Sequence, residues 1–143
     1  MPHEFDRQNL DEKSIDKLLL KVKFGHLGTV NREGKPYVVP LDYRYVDGAI
    51  YFHGAEKGQK IENIRRNPNV CFEVTFVDPL DSSLNSYGSA VGRRWECVIV
   101  NGKAKEVLDE SEKTKVFGEA GPRMHIYKIR RETITGRATF RKK

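Results

Sequence analysis

Between Tyr51 and Lys60 the chain reads YFHGAEKGQK, which places one histidine, two glycines and two lysines where a strand gives way to a helix. Gly54 and Gly58 permit positive φ and close backbone approach, while Lys57 and Lys60 bring ammonium groups. A helix start adds unpaired N–H groups, and such a set suits an anion, above all a phosphate. The same residues also make an ordinary glycine-containing loop with solvated lysines, and no Gly-Lys-Ser/Thr follows, so this is not a P-loop. His53 ends the strand beside that anion site. Histidine is the side chain suited to proton transfer near neutral pH, so His53 could donate a hydrogen bond or a proton to a small anionic substrate. The alternative is a satisfied strand-end histidine. His3, His26 and His125 lack that context, and no His/Cys/Asp/Glu cluster has metal-ligand spacing, so no metal site is expected. No serine or cysteine sits in a nucleophile-elbow context.

A second candidate is PYVVPLDYRY (36 to 45). Pro40 cannot donate a ladder hydrogen bond, which marks an edge strand, a bulge, or a place where a planar ligand rather than a strand meets the backbone. Tyr37, Tyr43 and Tyr45 alternate along it and read first as core. Trp95, the single tryptophan, opens a long strand after a polar stretch, where it either caps a ligand ring or anchors the loop.

These residues need a scaffold. With 143 residues, 38% hydrophobic and 32% charged, the chain suits one globular domain spanning 1–143. A net charge of +6 favours anionic partners, but the basic residues are dispersed, so a phosphorylated small molecule accounts for it as well as nucleic acid does. Nucleic acid is disfavoured because aromatic and basic residues do not interleave on a stacking face; the basic tail GRATFRKK and Arg65-Arg66 read as solvated charge. Cys71 and Cys97, in apolar strand contexts without metal spacing, read as buried reduced thiols, which fits a cytoplasmic protein. No apolar run reaches the ~20 residues that a membrane-crossing helix needs.

Periodicity predicts a first helix from about Asp11 to Lys23 with Asp11 as N-cap, then strands at 26–30 and Lys35 to Tyr45 around the turn Asn31–Gly34. An Asp47-Gly48 hairpin leads to a strand at 49–54, and a short helix around Lys60 to Arg65 follows. Strands are expected at 70–76 and 94–108, the second bent at Asn101-Gly102, with a polar loop from Val77 to Gly92 between them. A helix near Asp109 to Phe117 precedes a last pair, His125 to Ile129 and Thr133 to Phe140. Short antiparallel strands with brief helices make a compact, mainly β barrel with peripheral helices.

The series GHLGTVNREGKPYVVPLDYRYVDGAIYFHGAEKGQKIENIRRNPNVCFEV, followed by a strand ending VNGKAKEV, resembles the FMN-binding split-barrel family related to pyridoxamine 5'-phosphate oxidase. Within it, PYVVPLDYRY and YFHGAEKGQK look most like the nitroimidazole-resistance reductase branch. The resemblance covers about Leu18 to Arg137. It implies a six-stranded antiparallel split β-barrel that pairs into a homodimer, with FMN in a groove between subunits. Val38, Val39, Pro40, Leu41 and Asp42 match the strand beside the flavin ring and ribityl chain. Lys60 matches the phosphate-binding lysine, and Gly58 and Gln59 fall where the oxidase branch has serine and arginine, leaving Lys57 to compensate for the missing charge. His53 matches the histidine that faces flavin and substrate. Cys97 falls where the oxidase branch has a glutamine near the flavin, and Trp95 sits two residues earlier. The oxidase's C-terminal arginine and tryptophan motif is not evident after Tyr127, so oxidation of pyridoxamine phosphate is not expected. The resemblance implies an FMN-dependent oxidoreductase that passes electrons from reduced flavin to a small organic acceptor such as a nitroaromatic. The alternatives are a flavin-sequestering protein without turnover, or a split barrel using haem or a deazaflavin.

Overall fold

The computed structural model describes residues 5–77 and 95–141. The elements in chain order are β1 (Phe5–Asn9), α1 (Glu12–Lys21), β2 (Phe24–Val30), β3 (Pro36–Asp42), β4 (Arg44–Val46), β5 (Ala49–Gly54), α2 (Gln59–Arg66), β6 (Asn69–Val77), β7 (Trp95–Val107), α3 (Glu110–Phe117), a 3-10 segment (Gly118–Arg123) and β8 (His125–Arg141). Asp11 caps α1 as its sequence predicts, accepting a hydrogen bond from the Ser14 N–H at 2.8 Å. The helix then buries Ile15, Leu18 and Leu19.

All pairings are antiparallel, and the strands run β3-β2-β6-β7-β8-β5-β4, with β1 added on β8. The two ends of that order, β3 and β4, are separated in sequence only by Tyr43, so the sheet curls round and is tied to itself through one residue. Tyr43 is buried, its hydroxyl donates to the Leu19 carbonyl at 2.7 Å, and its ring meets Phe72 edge-on. Inside the curl lie Leu27, Leu41, Phe52, Phe72, Val98, Val100 and Tyr127, plugged by Leu18 and Leu19 of α1 and by Ile61 and Ile64 of α2. A second, smaller cluster, Ala49, Tyr51, Val107, Val116 and Ile126, lies where α3 covers the outer side of β5.

Several expectations are corrected. The sheet has eight strands rather than six: the 35–45 strand is broken at Tyr43 into two pieces with different partners, and β1 precedes the first helix. The expected pair at 125–129 and 133–140 is one strand, β8, because no turn interrupts it and its two halves serve different neighbours. Its first half pairs β5 and its second half pairs β1, with β7 alongside both. The predicted bend at Asn101-Gly102 is a register shift against β8, with Glu132 as the extra residue. A Cβ built on Gly102 would lie 2.1 Å from the Arg130 carbonyl oxygen, which explains the glycine. Cys71 is exposed rather than buried, since its side chain alternates to the outer face of β6. Beyond Val77, the polar loop expected to Gly92 lies outside the described residues.

Candidate functional site

The site begins with the backbone of β3. Its ladder to β2 is bracketed by two hydrogen bonds of one phase, Tyr43 N–H to Lys23 O at 3.3 Å and Asn31 N–H to Lys35 O at 2.8 Å. Antiparallel pairing alternates, so Tyr37, Val39 and Leu41 direct their N–H and C=O groups to β2, whereas Val38, Pro40 and Asp42 direct theirs to the other edge. No described strand pairs there. That edge offers the N–H groups of Val38 and Asp42 and the carbonyls of Val38, Pro40 and Asp42. Among the five residues expected beside a cofactor, Val39 and Leu41 turn their side chains inward, while Val38, Pro40 and Asp42 are exposed.

The opposite wall is β5 and the start of α2. β4 pairs β5 only from Arg44↔Tyr51 to Val46↔Ala49, so the sheet parts beyond Arg44 into a slit whose edges are β3 and the end of β5 that leads into the Gly54–Gly58 turn. Gly58 is the N-cap of α2 with φ 136, a conformation that disfavours any side chain, and it makes no side-chain cap. Around it, Lys57 and Gln59 are exposed and Lys60 is half-buried, its Cε lying 3.5 Å from where a Gly54 Cβ would be. Neither lysine has a hydrogen bond or ion pair with another described residue. Gln59, by contrast, turns its amide inward and donates from Nε2 to Asn63 Oδ1 at 2.7 Å.

At the closed end of the slit, His53 lies on the outer face of β5 and meets Phe117 edge-on at 5.8 Å. The Arg44 guanidinium stands 4.6 Å over the same ring and donates to the Val116 carbonyl at 2.7 Å. These residues, with Asp42, Tyr43 and Met124, line a cavity of about 190 Å³. Arg44, Phe117 and Met124 carry no sequence signal for this role; only the packing of α3 and of the 3-10 segment after it brings the last two to the histidine.

Trp95 and Cys97 are not brought together with these residues in one chain. The order β3-β2-β6-β7 puts them three strand spacings from β3, about 14 Å. Burial, reinforced by the Glu73 carboxylate, pushes the Cys97 thiol pKa upward, so it rests as a thiol. A larger cavity, about 620 Å³, lies between the Asp47-Gly48 turn, α3 and β8. Its lysines are already paired, Lys115 with Asp47 at 2.5 Å and Lys128 with Glu112 at 2.9 Å.

An antiparallel sheet that curls, ties itself at one residue and parts beside a Gly/Lys-rich helix start defines a split barrel. The family model for pyridoxamine 5'-phosphate oxidase matches residues 11–138, and the chain belongs to that family. Among solved structures, a candidate 5-nitroimidazole antibiotic resistance protein from Bacteroides thetaiotaomicron is 22% identical with TM-score 0.74, over 94% of this chain and 89% of that one. A FAD-binding protein from Mesorhizobium loti is 25% identical with TM-score 0.75, over 95% and 98%. A FAD-binding protein from Mycobacterium smegmatis is 23% identical with TM-score 0.69, over 95% and 100%. No curated protein matches the sequence. No helix among the described residues is long and apolar enough to cross a membrane.

Proposed function

We propose that the protein is an FMN-binding oxidoreductase that passes electrons from the reduced flavin to a small organic acceptor, a nitroaromatic among the candidates. The observation that carries this reading is the unpaired edge of β3 together with two lysines, without partners among the described residues, at the start of the helix that follows β5. The edge presents two donors and three acceptors to the polar rim of an isoalloxazine ring, which carries both kinds of group, and Lys57, Lys60 and the first amides of α2 supply the phosphate end. Once bound, FMN supplies the redox chemistry. The chain holds the ring edge through the Val38, Pro40 and Asp42 backbone, neutralises the phosphate through Lys60 with Lys57, and presents His53 to orient or protonate the acceptor at the 190 Å³ cavity.

A homodimer completes the reading. Trp95 and Cys97 are too far from β3 of their own chain to touch a ring there, and they serve the flavin held by the partner across the groove. The free thiols of Cys71 and Cys97 support action in the reducing cytoplasm.

The test is a visible spectrum of the purified protein, with the chromophore released by acid and identified. FMN is expected. Reduced protein should then be reoxidised faster by a nitroaromatic than by oxygen. A colourless protein that fails to take up added FMN defeats the proposal, and a flavin reoxidised by oxygen alone reduces it to a flavin-sequestering role.

A further inference from the structure

Two of the three buried polar side chains among the described residues, Asn63 at 0% and Thr29 at 2% exposure, belong to one hydrogen-bonded chain. Gln59 Nε2 donates to Asn63 Oδ1 at 2.7 Å, Asn63 Nδ2 donates to Thr29 Oγ1 at 3.0 Å, and Thr29 Oγ1 donates to the Tyr37 carbonyl at 3.4 Å. The chain therefore runs from the first turn of α2, beside Lys60, through β2, to the backbone of β3 next to Val38. It spans the floor of the slit.

Burying these groups is not the cheapest way to attach α2. Ile61 and Ile64 already dock the helix by apolar contact. A hydrophobic pair in place of Asn63 and Thr29 would avoid desolvating an amide and a hydroxyl, and replacing both partners of a buried hydrogen bond by apolar groups is close to neutral. Apolar packing, however, tolerates small slides of a helix across a sheet, whereas a directional chain fixes both distance and angle.

We propose that Asn63 and Thr29 are positioning residues that hold the phosphate-binding start of α2 at a set distance from the ring-binding edge of β3. The proposal rests on the flavin reading above. Phosphate and ring belong to one molecule with a ribityl chain of fixed reach, so both ends gain full contact only if the two walls keep their spacing. Gln59, which stands where the oxidase branch has an arginine, serves here as the first link of the spacer.

The test uses the full-length protein, freed of flavin and titrated with FMN and with riboflavin, which lacks the phosphate. The informative variant is Thr29→Val combined with Asn63→Leu, which leaves no buried donor or acceptor unmatched between the pair, with Thr29→Ser as the conservative control. Wild type and Thr29→Ser should prefer FMN over riboflavin to a similar degree. The double variant should lose that preference at least tenfold while melting within a few degrees of wild type. An unchanged FMN-to-riboflavin ratio in a folded double variant overturns the positioning role and leaves the flavin reading intact. Failure of the wild type to bind either flavin overturns both. Should the double variant not fold, Asn63→Asp, which keeps Oδ1 but not the donor to Thr29, is titrated in the same way, and an unchanged ratio there is equally fatal.

Discussion

At the scale of single residues, His53 is set apart by what holds it. Its ring lies edge-on to Phe117, a contact that fixes orientation without occupying either ring nitrogen, and it lines the small cavity with Arg44 and Asp42. A general acid or orienting donor contributes about 10²–10⁴-fold to a reaction it serves. His53→Ala should therefore lower kcat/KM for the organic acceptor by about 100-fold or more while leaving FMN affinity unchanged, as stopped-flow reoxidation and a flavin titration would show; equal turnover in the variant rules the role out. A different titratable group contributes to acid stability. Glu112 Oε2 accepts from the Tyr51 hydroxyl at 2.6 Å and from Lys128 Nζ at 2.9 Å, and these bonds hold its carboxyl below its usual 4.5. In the unfolded chain Glu112 takes up its proton near that usual value, and in the folded chain only at lower pH. The stabilisation is thus complete above about pH 5 and is lost as pH falls through the lowered value. Glu112→Gln should melt lower than wild type near neutral pH, with the gap closing below about pH 4; a gap constant across that range would show that the pair contributes nothing through its charge.

At the scale of elements, β7 and β8 carry most of the architecture, and their bulge is the point where it is easiest to break. Gly102 allows β7 to pass over β8 at the register shift, where any Cβ would collide with the Arg130 carbonyl at 2.1 Å and approach the Arg131 Cα at 3.1 Å. Both neighbours are backbone and cannot rotate away. Gly102→Ala should cost about 1–3 kcal/mol, read as a lowered denaturant midpoint at unchanged slope. The bend at Asn101-Gly102 was legible in sequence because a glycine inside an alternating strand has few other uses. α1 was legible too, since its cap, its apolar face and its acidic and basic faces are all local. The length of β8 was not: whether His125 to Arg141 turns back or runs straight depends on which strands lie beside it, and that is settled by β1, β5 and β7 together. The same limit applies to the site. Pro40, Gly58 and Lys60 carry their chemistry in their own covalent structure. Asn63 and Thr29 look like a helix-face amide and a strand hydroxyl until the fold stacks one on the other.

At the scale of the whole molecule, the outer face of the β3-β2-β6-β7-β8 portion of the sheet has no described element covering it. Cross-strand register sets Pro40, His26, Glu73, Ile99 and Thr135 in one row across it, with Val38, Gly28, Cys71 and Asn101 in the next. Val38 is 63%, Phe24 51% and Ile99 38% exposed, which is much apolar surface for one side of a small domain, and a cavity of about 460 Å³ with mostly apolar walls opens beside Val38. The open edge of β3 borders this face, and Trp95 and Cys97 lie on the strand across it. A second copy seated here would cover the apolar rows and bring its own β7 toward the ring held on β3, which is the arrangement the proposed homodimer needs. Ile99 is the sharpest probe, since it is the exposed large apolar side chain within its row and lies outside the slit. Ile99→Lys places a charge where a partner would bury it but where a monomer leaves it in water, so the variant should keep its melting behaviour as an isolated domain. Light scattering should find wild type as a dimer and the variant as a monomer, and the variant should release FMN on dilution because half of each cofactor groove has gone. A variant that remains dimeric and retains flavin would place the interface on another face and leave Trp95 and Cys97 without a role at the cofactor.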